Sequence, residues 1–171
     1  MVELIVQNYD QNKELFYKQE KLLKDCLGDN VKINHVGSTA IPDMVGKNII
    51  DILVSADGQK QFFKFREKLI EIGFFPSEKS KTDIYQFFAS TEKETTDGDV
   101  HIHLVVENTN RHDEFLILRD YLLKNPKEAK AYSQHKKELL SLGVKDRKLY
   151  RQEKSKYVSA LIERAKNYFN K

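Results

Sequence analysis

Cys26 is the single cysteine in 171 residues, so no disulfide forms within the chain, and no cluster of Cys and His has zinc-finger spacing. A reducing, cytoplasmic compartment is expected. No stretch approaches the ~20 consecutive apolar residues that a membrane-spanning helix needs. The N-terminal MVELIVQNYD has no basic lead and only a brief apolar run before Gln7. The chain is therefore expected to be soluble, untargeted and without a membrane partner. An excess of one charge is also missing. The 29 Lys and Arg nearly balance 26 Asp and Glu, and a net charge of +3 gives no reason to expect nucleic acid as the main partner. Repeats, low-complexity segments and linkers are absent too. With 40% hydrophobic residues the chain has enough apolar side chains for one proper core. Residues 1–171 are expected to form a single domain.

The apolar spacing gives the elements. Leu15, Phe16, Leu22, Leu23 and Cys26 form a stripe at helical period, predicting a helix over Tyr9 to Leu27 that Gly28 ends. Val31 to Val36 alternates, with Val31, Ile33 and His35 on one face, and Asn48 to Val54 is rich in β-branched residues; both read as strands. Between them lies a segment too short, and too interrupted by Pro42 and Gly46, for a long helix. A helix over Gln61 to Ile72 should precede two strands, Thr82 to Ala89 and Asp99 to Glu107, joined by the polar loop Ser90 to Gly98. Three helices should follow, about 111 to 124, 126 to 142 and 147 to 169, with Asn125-Pro126 as cap and first-turn proline and Gly143 as a stop. The class is α/β (α+β): a mixed sheet flanked by helices, with a helical C-terminal part.

HVGSTAIPDMVGKNIIDILV, residues 35 to 54, is the most informative stretch. Gly37 and Ser38 directly follow a strand, where a glycine lets the backbone turn sharply and N–H groups and a hydroxyl converge on an anion. An ordinary strand-to-loop turn uses the same two residues. Asp51 stands within NIIDILV, where a charge costs several kcal/mol unless a metal ion, a basic partner or an exposed strand end offsets it. His101 and His103, two apart in DVHIHLVVE, project from one strand face and can bind a metal or relay a proton. Arg119, Lys136 and Lys154 each fall on the apolar stripe of one of the three C-terminal helices. One inward base can snorkel to solvent. Three on successive helices suggest a shared anion, although Asp120 and Glu138 are possible protein partners. Lys47, four residues before Asp51, either reaches a phosphate from the loop or is simply solvated.

Taken together, HVGSTAIPDMVGKNIIDILV, HIHLVV and LRDYLLKNPKEAKAY resemble the bacterial GrpB family, a branch of the nucleotidyltransferase superfamily, over roughly residues 10 to 165. The resemblance implies a nucleotidyltransferase-like fold, a small mixed sheet flanked by helices. It does not by itself establish an activity. Active members of the superfamily hold triphosphate on the Gly-Ser turn and two magnesium ions on an Asp-x-Asp or Asp-x-Glu pair plus a third carboxylate. Gly37, Ser38 and Asp51 match that pattern. Leu53 takes the second acidic position and the His101 and His103 strand the place of the third carboxylate, so the two-metal mechanism lacks oxygen ligands.

Two functions are therefore expected to compete. The first is nucleotidyl or phosphoryl transfer from a nucleotide or other phosphorylated small molecule. In it Gly37, Ser38, Lys47, Arg119, Lys136 and Lys154 hold phosphate, and a magnesium or manganese ion sits on Asp51 with His101 or His103. Asp51 and His103 are its catalytic pair, with His103 as base. The second is a phosphate-ligand-binding module that has lost catalysis, which Leu53 favours. A third, weaker reading makes residues 145 to 156, KDRKLYRQEKSK, an RNA-contacting surface, although a helix with one wet face accounts for the same charges.

Overall fold

The computed structural model describes residues 4–92, 99–141 and 147–170. The opening helix α1 covers Tyr9–Leu27; Asn8 caps it by accepting from the Gln11 N–H at 3.2 Å, and Gly28 ends it at a φ of 110°. Strand β2, Lys32–Val36, runs into Gly37 and a single 3-10 turn, Ser38–Ala40. Then come β4, Ile50–Ala56, and α2, Gln59–Glu71. Strands β6, Tyr85–Ala89, and β7, Val100–Val106, follow. The chain closes with α3, Asn110–Lys124, α4, Pro126–Ser141, and α5, Arg147–Phe169. Each expected element is present within a few residues. Gly143, the expected stop, lies outside the described residues, as do positions 93–98 of the expected polar loop.

Three short strands escaped the sequence reading: β1, Ile5–Val6, β3, Val45–Gly46, and β5, Phe75–Pro76. Each is two residues long, too short for alternation to register. β1 and β3 form a separate antiparallel ribbon. The main sheet has the order β2-β4-β7-β6-β5, with β4 and β7 parallel and the other pairs antiparallel, so it is mixed as expected.

Strand alternation divides the side chains between two faces. One face carries Ile50, Ile52, Val54, Ile102, Leu104 and Phe88 and packs with Leu23, Phe62, Phe65 and Leu69 of α1 and α2 as the main core. The other face bears cross-strand rows set by the register. Val36, Asp51, His101 and Ala89 make the first row; Asn34, Leu53, His103 and Phe87 the second; Lys32, Ser55, Val105 and Tyr85 the third. Helix α3 lies across this face: Phe115 and Leu116 close on Val36, Leu53 and Val105. Its next turn serves a different core, where Tyr121 and Leu122 join Tyr132, Leu161, Ala165, Ile41 and Met44. The FLIL run of α3 is apolar because the helix is packed on two sides.

Candidate functional site

Gly37 has a φ of 74°, in the region glycine favours. A Cβ built there would stand 2.3 Å from Asp51 Oδ2, so only glycine lets the turn press against the carboxylate. Gly46 does the same for Ser38, whose Cβ would lie 2.8 Å from a side chain at that position. The two glycines thus fit the turn, the β3 ribbon and Asp51 into one another. By spacing alone Gly46 reads only as a helix breaker, and its contact with Ser38 follows from the fold.

Asp51 Oδ1 stands 3.5 Å from His101 Nδ1 and 3.6 Å from His103 Nε2. Its side chain keeps 27% exposure, because the first row lies at the end of the sheet face. Burial works to raise its pKa, but the contacts with His101 and His103 outweigh it and hold the carboxyl well below the usual carboxylate range. His103 is pushed down by burial, which wins over the pull of Asp51. His101 reaches a second carboxylate as well, with Nε2 3.7 Å from Oδ2 of buried Asp99. Asp99 is held by Ser90, Thr91 and the Val100 N–H.

On the other side of the turn, Lys136 is 2% exposed, yet its Nζ donates to Ser38 Oγ at 2.9 Å and to the Val45 carbonyl. Ser133, one turn earlier on α4, accepts from the Val45 N–H at 3.1 Å, so α4 is sewn to β3 by both residues. Burial pulls the Lys136 pKa down to about 7, the Lys154 charge adds to the fall, and Asp51 opposes it. Burial also lowers Lys154, with Asp51 opposing and Arg151 reinforcing. Among the described residues Lys154 has no hydrogen bond or ion pair. Lys136 of α4 thus reaches the Gly-Ser turn, while Lys154 of α5 lies near enough to act on the Lys136 charge, and both feel Asp51.

Arg119 is placed differently. It donates to Asp120 at 2.7 Å, to Asn34 at 3.0 Å and to the His35 carbonyl at 3.4 Å, so α3 uses it to grip β2. The expected trio of shared bases is thus a pair, and Arg119 has the protein partner Asp120. Lys47 is half-buried in the connection between β3 and β4, where its carbonyl accepts from the Ile49 N–H. Glu138 bonds Gln134 on the outer side of α4, away from Lys136. His35 faces α1, stacked on Phe16 at 4.8 Å and hydrogen-bonded to Thr39; burial brings its pKa down to about 4.

Leu53 is 0% exposed in the apolar cluster with Val36 and Val105. The place of a second carboxylate is filled by hydrocarbon, so the residues present do not fit a pair of hard cations. Among the described residues no group of three or more His, Cys, Asp and Glu is arranged to hold a metal ion. Asp51 offers one carboxylate with two imidazoles beside it, a mixed oxygen and nitrogen donor set.

Two features of this face were missed from sequence. Tyr85 Oη lies 3.0 Å from His103 Nδ1, a contact across neighbouring strands that only the register creates. Ser55, His112 and Asp113 form a second array, with Ser55 Oγ 3.0 Å from His112 Nε2 and His112 Nδ1 3.1 Å from Asp113 Oδ1. It resembles a hydrolytic triad in outline only: Ser55 is 2% exposed beneath α3, and the array anchors that helix. In the segment proposed for RNA, Tyr150 is buried and Lys154 turns inward. Arg151, Gln152, Ser155 and Lys156 line an open hollow of about 600 Å³ on the wet side of α5. No helix among the described residues is long and apolar enough to cross a membrane.

The chain is similar to the glutamate-rich protein GrpB of Alkalihalophilus pseudofirmus, 34% identical over 94% of each chain. It is 29% identical to the protein YqkA of Bacillus subtilis, matching 98% of this chain but spanning about half, 48%, of that relative's length. The crystal structure of the conserved protein GrpB from Enterococcus faecalis superimposes with a TM-score of 0.83 at 24% identity, covering 98% of this chain and 99% of that one, which shows a common fold. A sequence profile described as GrpB protein matches residues 3–164. A profile that spans nearly the whole chain, together with a full-length relative above 30% identity, makes this protein a member of the GrpB family.

Proposed function

We propose that the protein binds a nucleotide or another phosphorylated small molecule at the Gly37-Ser38 turn. The observation that carries this reading is Lys136, buried and bonded to Ser38 of that turn, with the charge of Lys154, which has no hydrogen bond or ion pair among the described residues, acting on it. Two ammonium groups drawn out of water and towards each other lose solvation and repel, and a phosphate between them offsets both costs. Lys47, which follows the Gly46 that packs on Ser38, is the third base of this reading. Arg119 contributes through the β2 end of the face rather than by direct contact.

Where a magnesium or manganese ion accompanies the ligand, Asp51 is its carboxylate and His101 or His103 its nitrogen. Such an ion supplies charge neutralisation to the phosphate. Nucleotidyl or phosphoryl transfer demands more of the site, since His103 must then accept a proton at Nε2. The hydrocarbon packing of Leu53 favours the alternative, a binding module without turnover.

Titration calorimetry with ATP, with and without magnesium or manganese, separates these outcomes. Lys136→Met and Lys154→Met are each expected to weaken binding at least tenfold. Asp51→Asn is expected to remove the metal-dependent part while circular dichroism shows the fold intact. Release of pyrophosphate would support transfer; binding without product across metals and acceptors would support the module. If neither ATP nor simple phosphate monoesters bind, the assignment of the turn is wrong.

A further inference from the structure

Helix α4 carries Tyr132 one turn before Lys136, and the Lys136 ammonium lies 4.7 Å from the centre of the Tyr132 ring and 2.9 Å from Ser38 Oγ. The phenol is therefore a direct neighbour of the side chain that grips the turn. Its ring belongs to the core that also takes in Ile41, the residue following the turn, and it stacks on Tyr157 of α5 at 5.5 Å with an interplanar angle of 11°. Packing holds the ring, and the whole residue keeps 7% exposure.

The hydroxyl is what this packing leaves unexplained. Among the described residues it has no hydrogen-bond partner. The side-chain atoms there that are fully enclosed without a partner are Arg66 Nε, Gln86 Oε1 and His135 Nε2. The Tyr132 oxygen is not one of them, so the small reachable part of the residue includes its hydroxyl. That opening is not bulk water: burial holds the phenol pKa far above its ordinary value, with Tyr150 and then Asp51 adding to the rise. Tyr150 of α5 is 3% exposed, and its hydroxyl likewise has no partner among the described residues. Phenylalanine would fill the same hydrocarbon space without the cost of drawing an unpaired hydroxyl out of water.

We propose that Tyr132 is a ligand-binding residue of the turn site: its hydroxyl donates to an acceptor oxygen of the phosphorylated ligand. A phenol that stays protonated is a donor, and the ammonium beside it has no lone pair, so the missing partner is an oxygen that accepts. Phosphate oxygens and sugar oxygens share that chemistry, and a nucleotide carries both. The inference rests on the phosphate reading of the turn. It adds to that reading a contact that depends on direction rather than on charge, beside the lysines that supply charge.

Titration calorimetry of the full chain with ATP and with inorganic tripolyphosphate, together with urea unfolding, compares the wild type with Tyr132→Phe, which removes only the oxygen. The variant is expected to bind ATP about three- to tenfold more weakly, the worth of one hydrogen bond. Its unfolding midpoint should be unchanged or raised, because no protein partner is lost. An equal loss for tripolyphosphate assigns the acceptor to a phosphate oxygen, and a loss confined to ATP assigns it to the nucleoside. Unchanged binding of both probes in Tyr132→Phe overturns the proposal while leaving the reading of the turn intact. A lowered midpoint overturns it too, since the hydroxyl would then serve the fold. If the wild type binds neither probe the inference falls, and the reading of the turn falls with it only when simple phosphate monoesters also fail to bind.

Discussion

At the scale of the residue, the site is defined as much by what stands at position 53 as by Asp51. Leu53 and Asp51 share a strand face, yet one is sealed beneath α3 and the other keeps 27% exposure at the end of the face. A carboxylate at 53 would lie among Val36, Val105 and Phe115. Leu53→Asp is therefore expected to destabilise the protein by about 3 kcal/mol or more, as an unpaired charge in a packed core does. Urea unfolding monitored by circular dichroism measures this. An unchanged midpoint together with new metal binding would show that position 53 opens to the site. The same contrast explains why Asp51 was legible in the sequence and its surroundings were not. A charge in an apolar run announces itself, whereas the position of each neighbour follows from register.

At the scale of the element, α4 carries the main contact between the helical part and the turn. Ser133 and Lys136 both bond Val45, and Lys136 also holds Ser38. Lys136 has a folded-state pKa of about 7 against a reference of 10.5, so between these values the unfolded chain binds more protons than the folded one. Stability then rises with pH across that window, and the penalty of the buried charge is fully present below about 7. The stability difference between the wild type and Lys136→Met should accordingly move in favour of the wild type as pH increases from 7 to 10. Denaturant unfolding of both proteins at several pH values tests the sign; a flat difference would show that Lys136 is not perturbed. His35 acts in the same direction at lower pH, because its folded value of about 4 makes the neutral ring the native form.

The helices themselves were legible to within a few residues, since apolar periodicity, the Asn125-Pro126 junction and Gly28 are local signals. The burial of Lys136 was also foreshadowed by its place on an apolar stripe. Arg119 stands on a similar stripe, yet it ends on Asp120, Asn34 and the His35 carbonyl. Helical period tells which bases turn inward, not which of them meet. That depends on how α3, α4 and α5 lie against the sheet, and the packing of α3 on two cores fixes its base against β2.

At the scale of the whole molecule, the proposed ligand site joins two parts that have separate cores. The turn and Asp51 belong to the sheet, while Lys136 and Lys154 come from helices packed around Tyr121, Tyr132 and Leu161. A phosphorylated ligand held by both parts should stabilise them as one unit. At a hundred times its dissociation constant, a ligand specific for the folded state adds about 2.7 kcal/mol. Thermal unfolding with ATP is expected to show one transition shifted upwards, with the shift lost in Lys154→Met. An equal shift in that variant would place the ligand elsewhere.

By itself the sequence determined the order and class of the elements, the Gly37-Ser38 turn, the exceptional charge at Asp51, the paired histidines and the absence of a second carboxylate at Leu53. These depend on residue type and on spacing within one element, which the chain encodes locally. Only the tertiary structure decided that Lys136 bonds Ser38, that Arg119 serves β2, that Gly46 is the floor of the turn and that Tyr85 reaches His103. The partners in those contacts are separated by 98, 85, 8 and 18 residues along the chain. Strand register and helix docking bring them together, and no local pattern of residues specifies either.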